Sequence, residues 1–258
     1  MNGKRNIRLL LAYDGTGYSG WQRQKEQPTI QGEIEEKIVT MTGDPTTLHG
    51  AGRTDAGVHA LGMVANFATE SNIPCSGFLK GLNSLLPDDI RVLEVSEAAA
   101  DFHARYSATG KCYLYHMTIG EAPVPTERLY STHLYQPLRL EKVRRCLELL
   151  VGCRDFSSFE AAGSRDPDSQ DGLGAVREIY AAEVCREQRG RIEKLQFQIS
   201  GSGFLRHMVR NIVGTLVEVG QERRSVEEFA DLFEILDRAA AGPTMPAKGL
   251  FLKKVYYV

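Results

Sequence analysis

Residues 111–119 read KCYLYHMTI. Apolar or aromatic side chains fall at every second position, Tyr113, Tyr115, Met117 and Ile119, which is the period of a strand with one buried face. The residues downstream give this strand its place. LEKVRRCLELLVG (140–152) sets Val143, Leu147 and Leu150 on one helical stripe. VREIYAAEV (176–184) and IEKLQFQIS (192–200) read as strands, with Leu195, Phe197 and Ile199 sharing a face. FLRHMVRNIVGTLVEVG (204–220) reads as a helix with Leu205, Met208, Val209, Ile212 and Leu216 as its apolar stripe. SVEEFADLFEILD (225–237) adds a helix opened by a capping box from Ser225 to Glu228, and LFLKKVYYV (250–258) is a closing strand.

The residues upstream run through the same order. RNIRLLLAYDG (5–15) is a strand that stops at Asp14-Gly15. TIQGEIEEKIVTMTG (29–43) places Ile30, Ile34, Ile38 and Met41 at helical spacing and ends at Gly43. LHGAG (48–52) and LGMVANFAT (61–69) read as strands, SGFLKGLNSLLP (76–87) as a helix stopped by Pro87, and IRVLEV (90–95) as a strand. Each half is therefore β-α-β-β-α-β, the split βαβ unit that ferredoxin-like and RNA-recognition modules share. The expectation is an α/β (α+β) protein of two such domains with mainly antiparallel sheets. They divide at AADFHARYS (99–107) into residues 1–105 and 106–258.

Composition narrows the class. The chain has 258 residues, 42% apolar and 25% charged, as in a globular protein, and no apolar run long enough to span a membrane. The basic N-terminus is a poor signal peptide because its apolar run is short and meets Asp14. Five cysteines with no C-x-x-C pair argue against a disulfide framework or a zinc site, and fit a reducing, cytoplasmic setting. No metal and no cofactor is expected. Net charge is −2, yet the charge is segregated. Lys4, Arg5, Arg8, Arg23 and Lys25 face only Asp14 in the first 25 residues, and six basic residues meet two acidic ones over 186–210. Such a chain can present a basic groove to phosphates or simply a patchy surface.

Three stretches could carry chemistry. Gly15-Thr16-Gly17-Tyr18-Ser19-Gly20 matches G-x-G-x-x-G after a strand, but no helix opens across the glycines, as a dinucleotide loop requires. With Tyr18, Trp21 and Arg23 it reads better as an aromatic, basic edge for nucleic acid. GRTDAGVHA (52–60) holds a lone Asp55 between glycines. By itself it reads first as a turn, since Thr54, Asp55 and Gly57 are good turn and cap residues. On the helix from 204, Arg206 and Arg210 are four apart on a polar face beside His207 and Asn211. Tyr113 could be a core aromatic or a platform for a base.

Taken in order, YDGTGYSGWQRQ (13–24), GRTDAGVHA (52–60), KCYLY (111–115), GFLRHMVRNIVGTL (203–216) and PAKGLFL (246–252) resemble the tRNA pseudouridine synthase I (TruA) family over nearly the whole chain. RDFSSFEAAGSRDPDSQDGLGA (154–175) looks like a region where members vary. The resemblance implies the pseudouridine synthase fold and isomerisation of uridines 38, 39 and 40 in the tRNA anticodon stem-loop. It implies a homodimer with each tRNA spanning both subunits. Asp55 becomes the catalytic carboxylate, Arg53 the residue that fills the gap left by the flipped base, Tyr113 a stacking partner of that base, and Arg210 the residue that orients Asp55. Tyr18, Trp21, Arg23, Arg206 and His207 would contact RNA. Two other classes fit the residues alone: a non-catalytic RNA-binding protein, and a nucleotide-dependent enzyme using the Gly15 loop.

Overall fold

The computed structural model describes residues 4–161, 174–190 and 192–258. Part of the 154–175 stretch, residues 162–173, and Arg191 of the second basic cluster lie outside the described residues. The first half contains β1 (Arg5–Tyr13), α1 (Ile30–Thr42), β2 (His49–Gly50), β3 (His59–Thr69), α2 (Cys75–Leu85) and β4 (Ile90–Ala98). The second contains β5 (Ala108–Ile119), β6 (Thr132–Leu134), α3 (Leu140–Leu150), β7 (Gly152–Asp155), β8 (Val176–Arg189), β9 (Ile192–Gly201), α4 (Met208–Gly220), α5 (Val226–Ala230) and α6 (Leu232–Ile235), and β10 (Leu250–Tyr257) closes the chain. Two compact units result, Met1–Thr109 with Phe251–Val258, and Gly110–Leu250.

In the first unit the strand order is β4-β1-β3-β10. β1 is antiparallel to both β3 and β4, while β10 joins β3 in parallel. Alternation on β1 sends Ile7, Leu9, Leu11 and Tyr13 into the core. Helix α1 begins where the Thr29 side chain accepts a hydrogen bond from the Gly32 amide, and it ends at Gly43 with φ of 78°. Its Ile30, Ile34 and Ile38 are fully covered. Helix α2 packs beside it with Gly81 against the Met41 methyl, 2.4 Å from where a Cβ would stand. Phe78 of α2 meets Phe67 of β3 edge-on at 5.5 Å. Both helices thus follow from the apolar spacing of the sequence.

The second unit has the order β5-β9-β8-β7, antiparallel throughout, with β6 parallel to β5. The β5–β9 register runs unbroken from Lys111 opposite Gly201 to Ile119 opposite Glu193. KCYLYHMTI is indeed a strand, but Cys112, Leu114 and Thr118 are buried along with Tyr113, Tyr115 and Met117, so its middle is covered on both faces. Helix α4 is buried on nearly every side. A Cβ on Gly214 would lie 1.8 Å from the Pro243 carbonyl oxygen, so the backbone of 242–245 lies directly on the helix.

Four differences from the sequence pattern have local causes. Strands β6 and β7 are three and four residues long, too short to show a period. LHGAG shrinks to the two residues of β2. The helix expected from 204 starts at Met208, because His207 sits at φ of 61°, outside the helical region. The 225–237 helix keeps its capping box but is interrupted at Asp231, giving α5 and α6.

The packing sets an expected pattern of thiol reactivity. Cys153 and Cys185 are exposed, Cys75 is half-buried, and Cys112 and Cys146 are buried. Burial pushes the Cys146 thiol up to about 12, and the thiolate is the reacting form. Ellman's reagent is expected to titrate two thiols rapidly in the native protein, and Cys112 and Cys146 only after denaturation. Rapid reaction of all five would show that the α3 face is not packed as described.

Candidate active site

Within the first unit, the segment carrying Arg53 and Asp55 is clamped by the glycine loop after β1. The Trp21 amide donates to the Thr54 carbonyl at 3.0 Å, and the Gly57 amide to the Tyr18 carbonyl at 3.4 Å. The Thr54 hydroxyl lies 2.9 Å from the Tyr13 hydroxyl in the core. The Val58 amide donates to the Asp55 carbonyl at 3.1 Å, which closes a turn through Gly57 at φ of 76°. Asp55 is half-buried at the head of that turn, while Arg53 is exposed and its Nε donates to Gln22 Oε1 at 3.0 Å.

This explains the G-x-G-x-x-G pattern. A Cβ on Gly15 would fall 2.0 Å from the Val58 carbonyl oxygen, and one on Gly20, at φ of 99°, 2.6 Å from the Thr54 carbonyl oxygen. The glycines let two backbone segments touch. Below the clamp, Gln31 of α1 accepts from the Arg23 amide at 2.9 Å and donates to the buried Glu35, which in turn accepts from the Leu48 amide. The buried His59 accepts from the Gly15 amide at 3.1 Å and stacks on Phe251.

The loop's aromatics are placed differently from the expected edge. Trp21 is 2% exposed and seated on Gly50, so its ring is core and offers no face to a ligand. Its amphipathic indole is used to fix the entry to α1 rather than to meet RNA. Tyr18 is buried as well, and its hydroxyl donates to Asp89 at 2.7 Å. Burial and that carboxylate hold its phenol above the ordinary range. Arg23 does reach solvent, with its guanidinium 3.1 Å from Glu35.

In the second unit, Tyr113 on β5 is buried and meets Phe204 edge-on at 5.0 Å. Nothing in the sequence marks Phe204, which reads there as one more apolar residue of a helix. Arg210 lies in the first turn of α4. Its Nε donates to the Met245 carbonyl at 2.6 Å, and the Met245 amide donates back to the Arg210 carbonyl at 3.3 Å. This two-point clip fixes where the guanidinium starts. Arg206 and His207 precede the helix, so they do not share a helical face with Arg210; the left-handed His207 breaks that spacing. Asn211 is structural. It is fully buried, donates to the Phe159 carbonyl at 2.7 Å, and accepts from Thr244 and Arg238.

Several cations of the basic clusters have acidic neighbours. Arg5 pairs with Glu97, Arg8 with Glu94, Arg186 with Glu193, and Lys194 with Glu127. Among the described residues no helix is long and apolar enough to cross a membrane, and no three His, Cys, Asp or Glu side chains gather as metal ligands.

Comparison with known proteins identifies the family of the chain. Residues 10–107 and 147–258 match the family model of tRNA pseudouridine synthase. The chain is 50% identical over 253 residues to tRNA pseudouridine synthase A 1 of Desulfotalea psychrophila, with 98% of this chain and 100% of that protein covered. It is 45% identical to tRNA pseudouridine synthase A of Clostridium kluyveri, covering 98% of this chain and 100% of the relative. The enzyme of the same name from Lacticaseibacillus casei is also 45% identical, with 98% and 99% covered.

The clamp has a direct test. Gly20→Ala adds a Cβ against the Thr54 carbonyl at a backbone angle that alanine resists, at a cost of about 1–3 kcal/mol. The expected outcome is a lower denaturation midpoint together with faster tryptic cleavage after Arg53. Unchanged cleavage would mean that the Gly20 contact does not hold the loop.

Proposed function

The chain belongs to the tRNA pseudouridine synthase family, and on that premise we propose that it isomerises uridines 38, 39 and 40 of the tRNA anticodon stem-loop, with Asp55 acting on the target nucleoside. In this reaction the N1–C1′ bond of uridine breaks, the uracil turns, and a C5–C1′ bond forms. The proton on C5 is lost and N1 gains one, so nothing is oxidised and no water is consumed. A carboxylate can serve as nucleophile or as general base.

The observation that carries the assignment is the seat of Asp55. Two glycines give up their side chains so that the backbone on either side of this residue can be gripped by a second loop. A backbone held this way fixes where the Asp55 side chain starts before substrate arrives, which is how an active site lowers its orientation cost. The roles of the other residues rest on the family resemblance. In this reading Arg53 leaves Gln22 to occupy the gap made by the extruded base, Tyr113 stacks on that base, and Arg210 orients Asp55. Arg23, Arg206 and His207 contact the RNA. The protein acts as a cytoplasmic homodimer.

Asp55→Asn is expected to keep tRNA affinity within a few-fold while tritium release from tRNA labelled at uridine C5 falls by orders of magnitude. Turnover within about tenfold of wild type would remove Asp55 from the chemistry. Mapping the modified positions in the wild-type product tests the choice of uridines 38–40.

Arg210→Lys keeps the charge but loses the planar fork and the Nε bond to Met245. Single-turnover kinetics with enzyme in excess are expected to show slower chemistry at nearly unchanged affinity. Weaker binding with a wild-type rate once bound would make Arg210 a phosphate contact instead.

A further inference from the structure

A row of rings reaches solvent on the first unit. His49 and His103 have their centroids 4.8 Å apart, His103 and Tyr106 4.4 Å apart, and the Arg105 guanidinium lies 5.6 Å from the centre of the Tyr106 ring. Tyr106 is 76% exposed. The register places the row on a definite face. His49 is opposite Asn66, and Asn66 is opposite Arg8, so all three point away from the side where Ile7, Leu9 and Leu11 are buried.

The row is held rigidly although its outer end is bare. The Ala104 amide donates to Asn66 Oδ1 at 2.8 Å, and its carbonyl accepts from the Tyr257 hydroxyl at 2.7 Å. The Phe102 carbonyl accepts from the Asn6 amide group at 2.8 Å, and the Ser107 amide closes a turn on the His103 carbonyl. His103 Nδ1 accepts from the Arg105 amide at 3.1 Å, which leaves the ring proton on Nε2 of a neutral ring. Burial, His49 and Arg105 all lower its pKa, in keeping with that tautomer. A large aromatic side chain kept in solvent by an anchored backbone gains nothing for folding. It is, however, what stacking on a base requires: a flat face already ordered, with a cation beside it.

We propose that Tyr106, backed by His103 and His49 and flanked by Arg105, is a stacking platform for an unpaired base of the tRNA substrate. This rests on tRNA being the substrate and is independent of which uridine is modified. The sheet face opposite the helices is also where RNA-recognition modules place their stacking aromatics.

The test is equilibrium binding of an unmodified tRNA transcript to the full-length protein, with single-turnover isomerisation at saturating enzyme as a second readout. Tyr106→Ala is expected to weaken binding about tenfold or more, while Tyr106→Phe, which keeps the ring, stays within about twofold of wild type. The rate at saturation should be unchanged for both. The Tyr106 side chain is mostly in solvent, so thermal melting should be near wild type. Binding by Tyr106→Ala within about twofold of wild type overturns the proposal, as does an equal loss in Tyr106→Phe. A change in sedimentation of the protein alone, with tRNA affinity intact, also overturns it and assigns the ring to contact with a second copy of the chain. If Tyr106→Ala weakens binding while the wild type modifies uridines other than 38–40, the platform stands and the positional reading fails. Modification at 38–40 with a binding-neutral Tyr106→Ala gives the reverse.

Discussion

The first unit depends on the close approach of two backbones, Gly15–Trp21 and Thr54–Val58. No side chain can be added at Gly15 or Gly20 without meeting a carbonyl oxygen of the other segment. The approach has a chain of consequences. It lets Trp21 donate to Thr54 and lets the loop lead into α1, whose Gln31 and Glu35 tie the Arg23 and Leu48 amides from below. It also holds the turn at Gly57 that presents Asp55. The second unit uses the same device once more. Gly214 and Gly242 admit the 242–245 backbone onto α4, and from there Met245 clips Arg210. In both units an irregular backbone, brought close by glycine, fixes the residue of interest.

Much of this was legible in the sequence, and the misses are instructive. Periodicity found β1, α1, α2, α3 and β9 because each buries one face over eight residues or more. It could not find β6 or β7, which are shorter than the period needs. It overran the start of α4 because Phe204 and Leu205 continue the apolar stripe, while the break lies in the backbone angle of His207. Composition misled at Trp21 and Tyr18, since aromatic residues in a polar, glycine-rich loop look exposed. The contacts that bury them come from Gly50 and Asp89, far along the chain. Asn211 misled in the same way: a polar residue on a helix proved to be a buried tie between Phe159, Thr244 and Arg238. Residue types at Asp55 read only as a turn and the family resemblance singled it out; the reason its backbone is held in place is steric and only the fold displays it.

The charge pattern carries a related lesson. Runs of lysine and arginine in the sequence suggested a basic surface, yet Arg5, Arg8, Arg186 and Lys194 each have an acidic neighbour across a strand or turn. Ion pairs that reach solvent contribute little to stability and are weakened by salt. Their effect is to place cations in set positions while keeping the net charge near zero.

Strand β10 has a consequence for how the chain is made. It borders β3, and with it lies Tyr257, whose hydroxyl anchors Ala104. A nascent chain that has emerged through β4 has all its other first-unit strands, yet this border comes only after the whole second unit has been translated. Until then the His59–Ala60 end of the β3 edge lacks this partner and Phe251 has not covered His59. An unpaired edge of that kind is a template for wrong partners. The first unit therefore cannot be completed until the second has been synthesised.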